Sequence, residues 1–114
     1  MATVALPNNV EAERTVLGSM LMDPDAAAVG IASLSDASFS GAEKRNLIVF
    51  QAMEELAKRK QLIDIPGVTN ELINLKTIED AGGSDYLLDL VNSAISPDNI
   101  DHYIKIVKDQ AVLR

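Results

Sequence analysis

The 114-residue sequence predicts an all-α domain, a compact orthogonal bundle of about six helices. Apolar residues recur at spacings of three and four in one segment after another, which is the pattern of helices that each bury one face. Hydrophobic residues make up 47% of the chain but aromatic residues only 4%, so the core is built from Leu, Ile, Val, Ala and Met. Strand-rich domains use more aromatic residues and threonine, and this composition therefore favours packed helices.

The first two predicted helices follow one another directly. Asn8 and Glu11 have the spacing of a capping box, and the apolar stripe that follows predicts a helix over residues 10–22. In Asp23-Pro24, an N-cap residue precedes a proline suited to the first helical position, which predicts a second helix over residues 24–34.

The longest predicted helix covers residues 42–60 and is expected to be the central one. A polar loop over residues 35–41 precedes it, and Phe39 in this loop is predicted to fill the core. Ser40 and Glu43 have the spacing of a second capping box. The expected buried stripe of this helix consists of five apolar residues, Leu47, Phe50, Met53, Leu56 and Ala57.

Three shorter helices complete the pattern. Asp64 or Ile65 precedes a helix that ends near Leu75. Gly82-Gly83 is a strong helix breaker that supplies backbone with positive φ. Ser84 is predicted to cap the next helix, whose apolar face is Tyr86, Leu87, Leu90 and Val91. The last helix is predicted to start at Ser96-Pro97, with serine as N-cap and proline at the first position.

Charge and composition exclude several classes of protein. The chain lacks cysteine, so it has no disulfides and no thiolate metal site, which fits the reducing cytoplasm. It has no apolar run long enough to span a membrane and no signal-peptide pattern. Its net charge of −7 disfavours tight binding to DNA. A local basic patch, Lys58-Arg59-Lys60, leaves a nucleic-acid-binding adaptor as the alternative function, although cations also stabilise the C-terminal end of a helix.

No catalytic or cofactor motif is evident. The closest carboxylate pairs are neighbours along a helix, which point to different sides, or belong to the Asp23-Pro24-Asp25 cap. His102 is the only histidine, whereas metal sites usually need two or three ligands of this kind. No serine lies in a G-x-S-x-G motif, and His102 alone would have to serve as the base of a catalytic triad. A P-loop is absent. The sequence predicts no catalytic, cofactor-binding or metal-binding residue, with a metal-dependent helical hydrolase as a third and contrary hypothesis.

Interaction with a partner is therefore the expected role. Tyr86 and Tyr103 are candidate partner-binding residues because tyrosine suits interfaces, and the competing interpretation places each at the edge of the core. Ile104 and Val107, on the same predicted helix as Tyr103, complete the candidate set. That helix is still apolar in its periodic positions at residues 111–113, which predicts that the chain is a fragment of a longer protein.

Several short segments together resemble the N-terminal domain of the bacterial and phage replicative DNA helicases, the DnaB family. In order along the chain, they are Leu6-Pro7, Glu11-Ala12-Glu13, Val16-Leu17-Gly18, Phe39, Ile48-Val49-Phe50, Ile63-Asp64 with Thr69, Gly82-Gly83 with Tyr86-Leu87, and Asn99-Ile100 with Tyr103 and Ile106-Val107. No single segment is specific, but their common order and spacing are. The resemblance covers nearly all of residues 6–114.

The resemblance implies a tail over residues 1–7, a globular head over residues 8–95 and the start of a helical hairpin over residues 96–114. It also implies a non-catalytic collar domain, which supports a hexameric ring as dimers or as part of the hexamer. ATP and magnesium belong to a separate motor domain. The implied partners are the C-terminal helicase-binding domain of primase, a helicase loader or initiator, and further copies of the chain. Tight DNA binding by this domain and association with a membrane are not expected.

Overall fold

A computed structural model describes residues 9–94 and 99–113. In these ranges the chain forms six α-helices and one 3-10 turn, with no strand. The helices are α1 (Val10–Met22), α2 (Pro24–Ser33), α3 (Lys44–Lys58), α4 (Ile65–Asn74), α5 (Gly83–Ser93) and α6 (Ile100–Leu113), and the 3-10 turn is Asp36–Ser38. The all-α prediction is thus confirmed.

Helix α1 lies at the centre of the bundle. It packs against α2, α3, α5 and α6, whereas α4 reaches the core through α3 and α5. The expectation that the longest predicted helix is central is therefore wrong. The reason is visible in α1 itself, where eight of its 13 residues are buried and apolar side chains point to several sides. A helix that is buried around most of its circumference must lie inside the bundle.

The N-terminal caps of α1, α2 and α4 follow side-chain chemistry closely. The Asn9 side chain accepts a hydrogen bond from the Ala12 N–H at 2.9 Å, so the cap lies one residue later than predicted, and Asn8 lies outside the described residues. Asp23 caps α2 as expected by accepting from the Asp25 N–H at 3.0 Å. Asp64 caps α4 in the same way.

Two predicted caps are wrong. The residue before α3 is Glu43, and neither it nor Ser40 caps the helix with its side chain, because the Glu43 carboxylate accepts from Arg45 instead. Helix α5 is preceded by Gly82, whose φ of 88° is the left-handed conformation that glycine adopts without strain, so Ser84 lies inside the helix. The predicted cap at Ser96 falls outside the described residues.

The backbones of α1 and α5 touch directly. A Cβ atom placed on Gly18 would lie 1.9 Å from the Leu90 carbonyl oxygen, which no side chain could tolerate. Beside this contact the Thr15 hydroxyl lies 3.5 Å from the Ser93 carbonyl oxygen. Glycine at position 18 therefore permits the close approach of the two helices at this point.

The loop between α2 and α3 is anchored by Phe39. Phe39 is buried, with its ring centroid 4.8 Å from that of Phe50 on α3. The prediction that this loop residue fills the core is confirmed. None of the helices described is long and apolar enough to cross a membrane.

Candidate functional site

A buried polar network lies where α1, α3, α5 and the loop before α3 meet. Glu13 of α1 is only 1% exposed. One of its carboxyl oxygens accepts from the Ser40 backbone N–H at 2.9 Å, and the other accepts from Asn46 Nδ2 at 3.0 Å. The Tyr86 hydroxyl donates to Asn46 Oδ1, which completes a chain of contacts through side chains from three helices.

Two arginines lie against the Tyr86 ring. The Arg45 guanidinium carbon is 3.9 Å from the ring centroid and that of Arg14 is 5.8 Å away, which are cation–π distances. Glu43 accepts a hydrogen bond from Arg45 and thereby raises the pKa of Arg45. Burial, with the nearby charge of Glu43, raises the pKa of Tyr86 to about 12, so its hydroxyl stays a hydrogen-bond donor at neutral pH.

The network holds the helices together rather than presenting chemistry to a ligand. Glu13 and Asn46 are buried, and Tyr86 is 2% exposed. A buried carboxyl group is tolerated because its oxygens have partners, and loss of one partner would leave the other uncompensated. We therefore interpret these residues as the structural frame beneath the surface of the domain.

Three of the four candidate partner-binding residues are buried inside the domain. Tyr86, Ile104 and Val107 are buried in the core, while Tyr103 is half-buried with its ring beside His102. The structure thus brings Tyr103, Ile104 and Val107 together on α6 and leaves Tyr86 apart on α5. A role for the four in binding a partner stays a prediction, and within this chain only Tyr103 keeps substantial exposed surface among them.

The basic patch at the end of α3 is largely neutralised. Lys58 Nζ lies 2.9 Å from Glu55, and Arg59 pairs with the buried carboxylate of Glu71 on α4, which raises the pKa of Arg59. Lys60 has a left-handed backbone conformation, with φ of 56°, just after the helix ends. Two of the three cations are thus engaged within the domain, which leaves less positive charge to attract nucleic acid.

The surface of the described residues includes an apolar groove and several exposed aliphatic side chains. A groove of about 380 Å³ runs between α2 and the segment that joins α3 to α4, lined mainly by alanines together with Ile31, Leu62 and Ile63. Elsewhere on the described surface the most exposed large aliphatic residues include Ile73, Leu88 and Val112. In the ranges that the structure describes, no three His, Cys, Asp or Glu side chains are grouped so as to hold a metal ion.

Sequence reasoning missed the Glu13–Asn46–Tyr86 network. A signal was present, because Glu13 lies three and four residues before Val16 and Leu17 and thus on the apolar stripe of α1. A carboxylate in such a position must find buried donors. Which donors it finds depends on the packing of α3 against α1, which the sequence pattern does not give.

The arrangement defines a small helical domain with a buried polar frame, and comparison with known proteins identifies its class. The family described as the DnaB-like helicase N terminal domain matches residues 5–109. The crystal structure of the N-terminal domain of DnaB helicase from Mycobacterium tuberculosis superimposes with a TM-score of 0.89 and 30% identity, covering 96% of this chain and 78% of that one.

Curated relatives agree with the structural match. The chain is 35% identical over 108 residues to the replicative DNA helicase DnaC of Bacillus subtilis (strain 168), and 36% identical over 108 residues to the replicative DNA helicase DnaB of Treponema pallidum (strain Nichols). Each match covers 95% of this chain but only 23% and 24% of the relatives. The chain belongs to the family of DnaB-like helicase N-terminal domains, and it spans about a quarter of the length of these relatives.

Proposed function

We propose that this chain is the collar domain of a hexameric replicative DNA helicase, a non-catalytic module that supports assembly of the ring and docks primase and a helicase loader. This proposal rests on the match of 95% of the chain to replicative DNA helicases, of whose length the chain covers about a quarter. In the same proposal, ATP and magnesium act in a motor domain outside this chain. The protein then works in the cytoplasm, where DNA is replicated.

The structure supports a scaffold role through its rigid frame. The buried hydrogen bonds of Glu13 join α1 to α3 and to the loop before α3, while Gly18 permits the close approach of α1 to α5. A domain held this firmly presents its outer helix faces in constant geometry, which lowers the entropic cost of binding a partner.

The experiment is a binding assay with the C-terminal helicase-binding domain of primase from the same genome. Isothermal titration calorimetry with the longest soluble form of the helicase that contains this chain should show saturable binding, and so should titration with the cognate loader. The 114-residue chain alone should hydrolyse no ATP above the buffer rate. Measurable ATP turnover by the chain, or failure of both partners to bind, would contradict the proposal.

The alternative, a nucleic-acid-binding adaptor acting through Lys58-Arg59-Lys60, receives less support because Lys58 and Arg59 are paired with carboxylates. A titration with single-stranded DNA at low and high salt compares the two functions. Binding that weakens steeply with salt, and is lost when the three cations are replaced by glutamine, would favour the adaptor.

A further inference from the structure

The outward face of α5 combines acidic side chains with an exposed leucine. Four exposed residues follow one another at helical spacing on this side of α5, namely Asp85, Leu88, Asp89 and Asn92. The opposite side of the same helix is buried through Tyr86, Leu87 and Leu90. Leu88 keeps 50% of its surface exposed, so an apolar side chain stands in the middle of a polar helix face.

The charged residues in the segment that contains Leu88 are all acidic. Residues 77–94 contain four carboxylates, Glu79, Asp80, Asp85 and Asp89, and no lysine, arginine or histidine. All four are exposed. Arg45 of α3 interacts electrostatically with Asp89, but its guanidinium group is already paired with Glu43. Arg14 and Arg45 lie beside Tyr86 of the same helix, and each is paired with a carboxylate, Glu11 and Glu43 respectively. The four carboxylates of residues 77–94 therefore leave the charge on this side of the domain negative on balance.

We propose that this α5 face is a docking surface for a cationic amphipathic helix of a partner protein. The apolar side of that helix covers Leu88, and its lysines or arginines meet Asp85 and Asp89. An exposed ion pair adds little affinity by itself but selects the partner and speeds encounter, whereas burial of the leucine supplies the anchor. The same charges repel the phosphates of DNA, so the surface fits a protein and not a nucleic acid.

This inference rests on the proposed function, in which the domain docks other proteins, and names the surface and the chemistry of the contact. Its test uses a defined probe, a synthetic helical peptide of leucine and lysine with one apolar and one cationic side. Heteronuclear NMR titration of the 114-residue chain should move the backbone amides of α5 most. Fluorescence anisotropy with the labelled peptide then gives the Kd for each variant.

Two sets of variants separate the anchor from the charges. Leu88→Ser should weaken the Kd on the order of tenfold, because the exposed half of the side chain no longer becomes buried. Asp85→Asn combined with Asp89→Asn should weaken the Kd about fivefold at low salt, and high salt should remove most of that difference. Both changes lie on an exposed face, so circular dichroism should show an unchanged fold.

Matched controls make the assignment refutable. Leu62→Ser changes a leucine that is 59% exposed in the apolar groove near α2, and it should leave the Kd unchanged. A peptide of the same composition without amphipathic order should bind at least about tenfold more weakly, because it cannot present one apolar side to Leu88. Amide shifts centred on the groove, equal binding of the disordered peptide, or an unchanged Kd for Leu88→Ser would each overturn the proposal.

The primase assay distinguishes the two levels of inference. If primase binds wild type and the Leu88→Ser helicase equally well, and the peptide does not move α5, the α5 assignment is wrong and the proposed function stands. If the peptide binds at α5 but primase and loader bind nowhere, the proposed function is wrong and the α5 surface stands.

Discussion

Replacement of Glu13 by glutamine tests the buried frame with the smallest possible change in shape. The carboxyl group of Glu13 accepts two hydrogen bonds, from the Ser40 N–H and from Asn46 Nδ2. Glutamine brings one oxygen and one NH₂ group to these two donors. One donor must then face another donor, and water cannot take over because the site is closed.

The expected loss of stability follows from this mismatch. Rotation of the Asn46 amide can restore its contact with the introduced glutamine only by turning its NH₂ group toward the Tyr86 hydroxyl, which then loses its acceptor. One hydrogen-bond donor therefore stays unsatisfied in either orientation of the Asn46 amide. A hydrogen bond to a charged acceptor contributes about 1.5–3 kcal/mol, so Glu13→Gln should lower the free energy of unfolding by about 2–3 kcal/mol.

Urea unfolding followed by far-UV circular dichroism at neutral pH measures this loss. For a urea slope of roughly 1–3 kcal/mol per molar, the midpoint should fall by about 0.7–3 M. Glu11→Gln is the matched control, since Glu11 is an exposed glutamate on the same helix and its loss should cost less than about 0.5 kcal/mol. Equal midpoints for Glu13→Gln and wild type would refute the claim that the network stabilises the fold.

Three further predictions concern stability in the same urea assay. Gly18→Ala should lower the free energy of unfolding by about 3 kcal/mol, because the new Cβ meets the Leu90 carbonyl oxygen. A loss below about 1 kcal/mol, the lower bound for overpacking, would contradict that contact. Phe39→Ala should cost about 3 kcal/mol by emptying its site in the core, and the midpoint should fall without loss of helical signal. Burial and the neighbouring Asp36 carboxyl raise the pKa of Glu54 to about 7, so the folded state favours its protonated form. Stability should therefore fall as pH rises from about 4.5 to about 7, by about 1 kcal/mol after allowance for solvent screening, and Glu54→Gln should flatten this part of the profile.

The helices were predictable because their signals are local. The first helix spans residues 10–22 as the apolar stripe predicts, and Asp23-Pro24 opens the second one. Positive φ at Gly82 and Gly83 was predictable for the same reason. The two cap predictions failed for different reasons. At Ser40, the backbone N–H donates to Glu13, which is a tertiary contact. Before α5, the left-handed turn beside Tyr86 requires the glycine at position 82, so the helix begins before Ser84.

The candidate site was less predictable because it depends on which face of each helix points inward. Tyr86 and Ile104 were predicted to bind a partner, but both side chains are buried in the core. Leu88 lies one position from an apolar stripe and could belong to it by sequence alone, yet the structure turns it to solvent. Helical periodicity gives the spacing of residues on a face, whereas the position of the neighbouring helices decides whether that face is covered.

The Glu13 network also bears on how the domain forms during synthesis. Its hydrogen bonds join residues that are 27, 33 and 40 positions apart, and the last partner to be made is Tyr86. On the ribosome, α1 and α3 emerge well before α5, so the network of Glu13 and Asn46 lacks its third side chain until Tyr86 leaves the exit tunnel. Stable tertiary structure should therefore form cooperatively, after α5 has been translated. A nascent chain arrested before residue 86 should stay sensitive to protease.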